Sequence, residues 1–346
     1  MDINRHPGVR PGIHGPLVII GHVGVATDLT ASGAVTGPGG SGFAAAFAAA
    51  ALIVGTGLVA QVGEDFDLGV LSALGIGMEG ISVLPGASAR FRIEHLRAGS
   101  LSFTSDLGVA AESRFDRFPA AYLQARFVHL GSAPPRQQLA WLEYLRARGC
   151  QAQVSVDMFE PFVAAEPDVC REAGARADLI FLNDAEYRGL YGGRAHPPVP
   201  VVRKHGPGGA EYLAARTAET ARTAETAETA WTAGTAGTPR TTYRVPAPPA
   251  GEVDPIGAGE ILAGAFLALR AQGLAADQAL TYSVAAAARS VTEFGVAGPA
   301  VAGELRRIRA DLGSRLVAGA LDLSPGSGRR LGAPGRSPGP GGDRWT

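Results

Sequence analysis

Only two cysteines occur in the 346 residues, Cys150 and Cys170, and they stand too far apart to form a C-x-x-C pair. That spacing excludes a disulfide framework, supplies no zinc-ligand set, and fits a reducing, cytoplasmic setting. An excess of charge of either sign is missing too, since 31 Lys and Arg meet 32 Asp and Glu with no basic block. A nucleic-acid surface of basic residues interleaved with aromatics is therefore not indicated. Long apolar runs are also lacking. The Ala-rich stretch from Ala44 to Val54 is too short and too weakly apolar to cross a bilayer, and "MDINRHPGVRPGIHGPLVII" has no signal-peptide core. The reading is a soluble protein. A G-K-[ST] triplet is absent as well, which excludes a Walker A loop.

What is present is a repeated exchange of short apolar runs with helical patterns. Leu17 to Ile20 reads as a buried strand, followed by a polar, flexible segment and then by "GPGGSGFAAAFAAAALIVG", a glycine turn leading into an Ala-rich helix. "TGLVAQVGED" and "LGVLSALGIG" give the next strand and helix, and "ARFVHLGSAP", "CQAQVSVDMFE" and "ADLIFLNDAEYRGLYG" continue the alternation. Such interleaving predicts an α/β fold, a mostly parallel sheet with helices on both faces and ligands at the strand carboxyl ends. Residues 88–106 alternate apolar and polar around a glycine turn, which predicts a hairpin with one exposed face, a small β lid. Residues 214–242 are a Thr/Ala/Glu/Arg repeat with little apolar material, expected to be an expanded hairpin loop. One domain over 1–322 is expected, with a disordered Pro/Gly/Arg tail over 323–346.

The most informative stretch is "DPIGAGEILAGAFLALRAQG", Asp254 to Gly273. Gly257, Ala258 and Gly259 have almost no side chain, so their backbone N–H groups can converge on one anion at a helix N-terminus, where the dipole is also positive. From Glu260 onward Ile261, Leu262, Phe266 and Leu269 recur at helical spacing, with Arg270 in the last turn and Gly273 as the stop. Taken locally, Glu260 is an acid that completes half a capping box and favours the dipole. A second glycine string, "GPGGSG" from Gly37 to Gly42, satisfies G-x-G-x-x-G, which admits a dinucleotide-binding enzyme. The dinucleotide fingerprint, however, follows directly on the first strand, whereas here a segment intervenes.

The order of motifs is more specific than any one of them. An Asp after the first strand, a GG helix start, "NDAE" after a middle strand, the G-x-x-G-A hairpin of "VVRKHGPGGA", and the late "DPIGAG" resemble the ribokinase-like (PfkB) family of carbohydrate and nucleoside kinases from about Leu17 to Val301. The resemblance implies phosphorylation of an alcohol by ATP with Mg²⁺. Gly257, Ala258 and Gly259 would form the anion hole, and Glu260 would take the hydroxyl proton. Asp28, Gly39, Gly40 and Ser41 would bind substrate. Asn183, Lys204, Gly206, Gly209 and Asp254 would serve the nucleotide, Ser283 to Ala287 would flank its adenine, and Glu186 would organise the metal. The lid hairpin would cover the substrate and mediate a homodimer.

Two residues depart from the family pattern: Glu260 replaces an Asp, and Ala44 stands where sugar kinases carry an Asn. The first admits a pseudokinase that binds without turnover. The second points away from ribose or fructose towards a nucleoside or cyclitol.

Overall fold

The computed structural model describes residues 16–30, 33–96, 101–192, 199–215 and 242–317. Among these residues a nine-stranded sheet has the order β13-β12-β11-β10-β9-β8-β1-β4-β5. Its strands are β1 (Leu17–Ile20), β4 (Thr56–Gly63), β5 (Gly77–Leu84), β8 (Phe127–Leu130), β9 (Gln153–Asp157), β10 (Leu179–Asn183), β11 (Val201–Lys204), β12 (Ala210–Leu213) and β13 (Thr242–Val245). The pairs from β5 across to β11 are parallel, and β12 and β13 close the edge antiparallel. Parallel strands covered on both faces read as continuous apolar runs, and β1, with four buried residues in succession, does so.

Successive residues of β1 serve opposite cores, because side chains alternate across a strand. Leu17 and Ile19 join the cluster formed with α1 (Ser41–Leu52), α2 (Gly69–Ala73), α7 (Ala258–Ala271), α8 (Ala276–Ser290) and α9 (Pro299–Val317). Val18 and Ile20 join the other, formed with α3 (Pro135–Ala147), α4 (Glu160–Ala165), α5 (Pro167–Arg176) and α6 (Asp184–Tyr191). The small-residue character of α1 has a direct use. It lies so close to α7 that a Cβ on Gly264 would meet the Ala45 carbonyl oxygen at 2.1 Å. Close helix approach therefore fixes both N-termini beside one another at the sheet edge. No helix among the described residues is long and apolar enough to cross a membrane.

The lid is larger than one hairpin. Residues read as a polar, flexible segment form β2 (Gly24–Thr30) and β3 (Gly33–Gly39), which join β6 (Ala89–His95) and β7 (Leu101–Asp106) in a four-stranded sheet of order β3-β2-β6-β7. "GVATDLT" and "GAVTGPG" are too short of large apolar residues to announce strands, and β2 forms because it pairs in parallel with β6, far along the chain. The strand β5 likewise went without a sequence signal of its own, and α2 is shorter than the pattern suggested. The repeat over 214–242 lies almost wholly outside the described residues, as does the tail. The strands flanking the repeat nevertheless pair, with Leu213 opposite Thr242.

Candidate active site

The carboxyl ends of β1, β8, β9, β10 and β11 open on one edge of the sheet, and the lid stands over it. Between them lies a cleft of about 1090 Å³. Its centre is built from the end of β10, the end of β11 and the start of α7. Gly257 caps α7 with φ 81°, a left-handed conformation natural to glycine, and a Cβ there would also meet Val296 Cγ1 at 2.2 Å. The helix begins at Ala258 rather than Glu260, so Ala258, Gly259 and Glu260 form its first turn, with their N–H groups free of intrahelical partners. The side chain of Lys204 arrives next to this turn. A Cβ on Gly259 would lie 3.0 Å from its Nζ, so a larger residue at 259 would crowd the ammonium.

Lys204 is held from behind: its Nζ donates to Asp157 Oδ1 at 2.7 Å, with the aspartate almost fully buried. Burial works against the ammonium charge, but Asp157, Glu186 and Glu260 outweigh it and hold Lys204 above the ordinary lysine range. Asn183 and Glu186 form a capping box at the start of α6. Asn183 Oδ1 accepts from the Glu186 N–H at 2.8 Å, and Glu186 Oε2 accepts from the Asn183 N–H at 2.6 Å. A third bond, from Asn183 Nδ2 to Glu186 Oε1 at 2.9 Å, locks the carboxylate in place, and burial raises its pKa above the usual glutamate value. Both residues line the cleft, so one motif positions the helix and presents an acid to the cavity.

Glu260 does not bond back to its own helix start. Its Oε1 accepts from Ser132 Oγ at 3.3 Å, and the Ser132 carbonyl in turn accepts from Ser41 Oγ at 3.2 Å. Ser132, at the end of β8, escaped the sequence reading. Its only local mark is its place in "HLGSAP", directly after a buried strand. His22, just past β1, was missed as well: it lines the cleft, and burial lowers its pKa against the opposing effect of a hydrogen bond with the Ser132 backbone.

One end of the cleft is aromatic. Phe91 and Phe103 of the lid stack with centroids 6.3 Å apart, Phe103 meets Phe159 edge-on at 5.9 Å, and Phe159 meets Phe162 at 5.4 Å. Ala26, Gly39, Gly40, Ser41 and Ala44 complete that end. At the other end Gly206 and Gly209 of the β11–β12 hairpin face Ala247, Pro248, Val284, Ala287 and Ala288. Ser283, by contrast, is turned away and donates to the Leu280 carbonyl.

Asp28 and Asp254, expected to meet substrate and nucleotide, are not among the residues that line the cleft. The residue of β2 that does border it is Ala26, one pleat earlier on the same face. Asp28 lies two residues further along, directly opposite Ile93 in the β2–β6 pairing, and it and Asp254 face His95. Asp254 Oδ1 accepts from the Ile256 N–H at 3.0 Å, which pins the entry to the glycine turn.

Comparison with known proteins agrees with this geometry. The profile of the pfkB family carbohydrate kinases matches residues 20–302. A cytidine kinase of Thermococcus kodakarensis is 27% identical over 282 residues, covering 81% of this chain and 97% of that protein. Among solved structures, the Burkholderia thailandensis nucleoside kinase in complex with inosine has a TM-score of 0.67 at 17% identity, covering 85% of this chain and 98% of its own. A putative ribokinase II of E. coli in complex with ATP and Mg²⁺ has a TM-score of 0.64 at 19% identity, covering 85% and 99%. With a ribokinase-like fold, a glycine turn at a helix start and a family match across most of its length, the chain belongs to the pfkB family of carbohydrate kinases and is an ATP-dependent phosphotransferase with a hydroxyl acceptor.

Proposed function

We propose that the acceptor is a nucleoside, whose base packs on the aromatic end of the cleft while its ribose hydroxyl faces Glu260. The observation that carries this is the run of Phe91, Phe103 and Phe159 from lid to large domain. Flat aromatic surfaces reward a flat base, through buried area and about 0.5–1.5 kcal/mol of ring-pair attraction beyond it. Ala26 and Ala44 offer only methyl groups to the acceptor, so binding there draws on apolar contact, which a base supplies and a free sugar does not. The relative named as a cytidine kinase and the inosine-bound nucleoside kinase favour the same class.

In this reading the N–H groups of Gly257, Ala258 and Gly259 stabilise charge on the transferring phosphoryl group, aided by the Lys204 ammonium beside them. Glu260 takes the proton from the attacking hydroxyl. Its side chain is one methylene longer than the aspartate of the family pattern, and the Ser132 hydroxyl holds it back against the wall of the cleft. The nucleotide base of ATP occupies the far end, against Val284, Ala287 and Ala288. Glu186 and Asn183 suit Mg²⁺, which prefers one or two carboxylate oxygens and keeps several waters. When bound, the ion neutralises charge on the β- and γ-phosphate oxygens. The lid keeps water, a competing acceptor, away from the phosphoryl group.

The test is ADP release with ATP and Mg²⁺ across cytidine, adenosine, inosine, ribose and fructose, using the native protein beside Glu260→Gln and Glu260→Asp. Turnover is expected with at least one nucleoside, with kcat reduced on the order of 100-fold or more in Glu260→Gln, the usual scale for loss of a general base. Preference for ribose or fructose over every nucleoside refutes the acceptor class. Full activity in Glu260→Gln refutes the base. Nucleoside binding without turnover, repaired by Glu260→Asp, marks a kinase fold retained for binding.

A further inference from the structure

The structure assigns a second ion site, separate from the cleft: Asp28, His95 and Asp254 form a ready-made set for one divalent transition-metal ion that ties the lid to the base of the anion turn. The three residues come from β2, the end of β6 and the segment leading into α7. His95 Nε2 lies 3.7 Å from Asp28 Oδ1 and 3.8 Å from Asp254 Oδ1, and one donor atom from each of the three lies within 4.8 Å of the others.

These distances are too long for hydrogen bonds, and that is the point. Asp28 Oδ1 and His95 Nε2 are both buried without a hydrogen-bond partner, although each points at the same small space. Asp28 is 3% exposed and Asp254 2% exposed. Among the described residues neither carboxylate has a lysine or arginine in ion-pair range. Two buried acids facing each other are unfavourable unless something positive completes the group, and His95, at 3.7 and 3.8 Å, bonds to neither. Burial and the proximity of Asp254 raise the Asp28 carboxyl, against the opposing effect of His95.

Ligand chemistry selects the ion. An imidazole nitrogen with two carboxylates suits Zn²⁺, Co²⁺ or Mn²⁺, whereas Mg²⁺ and Ca²⁺ favour all-oxygen sets. Tetrahedral bonds of about 2.0 Å place ligand atoms about 3.3 Å apart, so shifts of less than about 1 Å close the set. Asp254 Oδ1 keeps a free lone pair after accepting from Ile256. The His95 ring is already oriented by the edge-on contact with Phe294, centroids 5.1 Å apart. Two ligands ride on the lid and the third precedes Gly257 by three residues, so occupancy would hold the lid down and steady the anion turn.

The experiment uses the untagged full chain, stripped with a chelator and held in excess Mg²⁺ so that the reaction site is saturated. Co²⁺ is titrated with visible absorption as the readout, and Zn²⁺ by calorimetry. One equivalent is expected to bind, with affinity reduced at least tenfold in His95→Gln and in Asp28→Asn and unchanged in Glu186→Gln. Thermal melts with and without Zn²⁺ supply a readout independent of turnover: the native protein gains stability on loading, and folded His95→Gln does not. His95 is partly exposed, so His95→Gln keeps the test valid should Asp28→Asn fail to fold. No stoichiometric binding, or binding indifferent to both substitutions, or binding lost only in Glu186→Gln, overturns the assignment. None of these outcomes depends on whether the acceptor is a nucleoside.

Discussion

The tightest structural demand on the proposed reaction centre falls on Gly257, and Gly257→Ala measures it. The residue sits at φ 81°, and the added Cβ would meet Val296 Cγ1 at 2.2 Å. A left-handed conformation costs a residue with a Cβ about 1–2 kcal/mol. Overpacking against Val296 adds about 1–3 kcal/mol, because that side chain is itself largely buried and cannot swing clear. The variant is therefore expected to lose about 2–5 kcal/mol in urea unfolding, the sum of these two costs. If the turn instead yields by about 1 Å, the loss appears as a fall of about 100-fold in kcat. The two costs separate in a double-mutant cycle with Val296→Ala. That substitution alone loses about 1–2 kcal/mol with its two methyl groups. In the Gly257→Ala background it removes the colliding methyl, so a favourable coupling of about 1–3 kcal/mol is expected, while the backbone cost stays. Wild-type stability and kcat in Gly257→Ala would refute the demand, and additive losses in the double variant would refute Val296 as its cause.

Three further outcomes follow from the same geometry. Lys204→Met strands Asp157, which is almost fully buried and already has an unpartnered Oδ2, so a loss of about 3–5 kcal/mol is expected in chemical denaturation, with partial recovery in Lys204→Met/Asp157→Asn; a loss under about 1 kcal/mol would show the pair to be dispensable. Burial raises the Glu186 carboxyl, and only its ionised form can hold a cation, so the apparent Mg²⁺ affinity in the ADP-release assay should weaken as pH falls, at a higher pH than for an exposed glutamate; a flat profile down to the ordinary glutamate range, or the same slope in Glu186→Gln, contradicts the role. Replacing residues 214–241 by a two-residue Asn-Gly turn should preserve fold and turnover, because Leu213 and Thr242 already face each other across β12 and β13, and closing a shorter loop favours folding by at most about 2 kcal/mol; a collapse in melting temperature would show that the segment holds the edge together.

The sequence by itself determined whatever is written in short stretches of chain. The four buried residues of β1, the small-residue face of α1 and the glycine turn before α7 are all local patterns, since side-chain size and backbone freedom act within a few residues. The alternation of these elements was enough to expect a parallel sheet with its ligands at the strand ends. Asn183 and Glu186 could be paired in advance only through the family motif; that they form a capping box with Glu186 buried is a finding of the structure. Tertiary structure decided what depends on residues distant in the chain. The strands β2 and β3 carry little apolar weight and exist because β6 offers β2 an edge. Ser132 reaches Glu260, Lys204 reaches Gly259, and Phe103 reaches Phe159 only after the sheet has ordered its strand ends and the lid has come down. The same pairing set Asp28 beside His95 and Asp254. A pattern of residue types can announce a turn or a strand, but which side chains finally touch is settled by register and packing, which only the whole fold fixes.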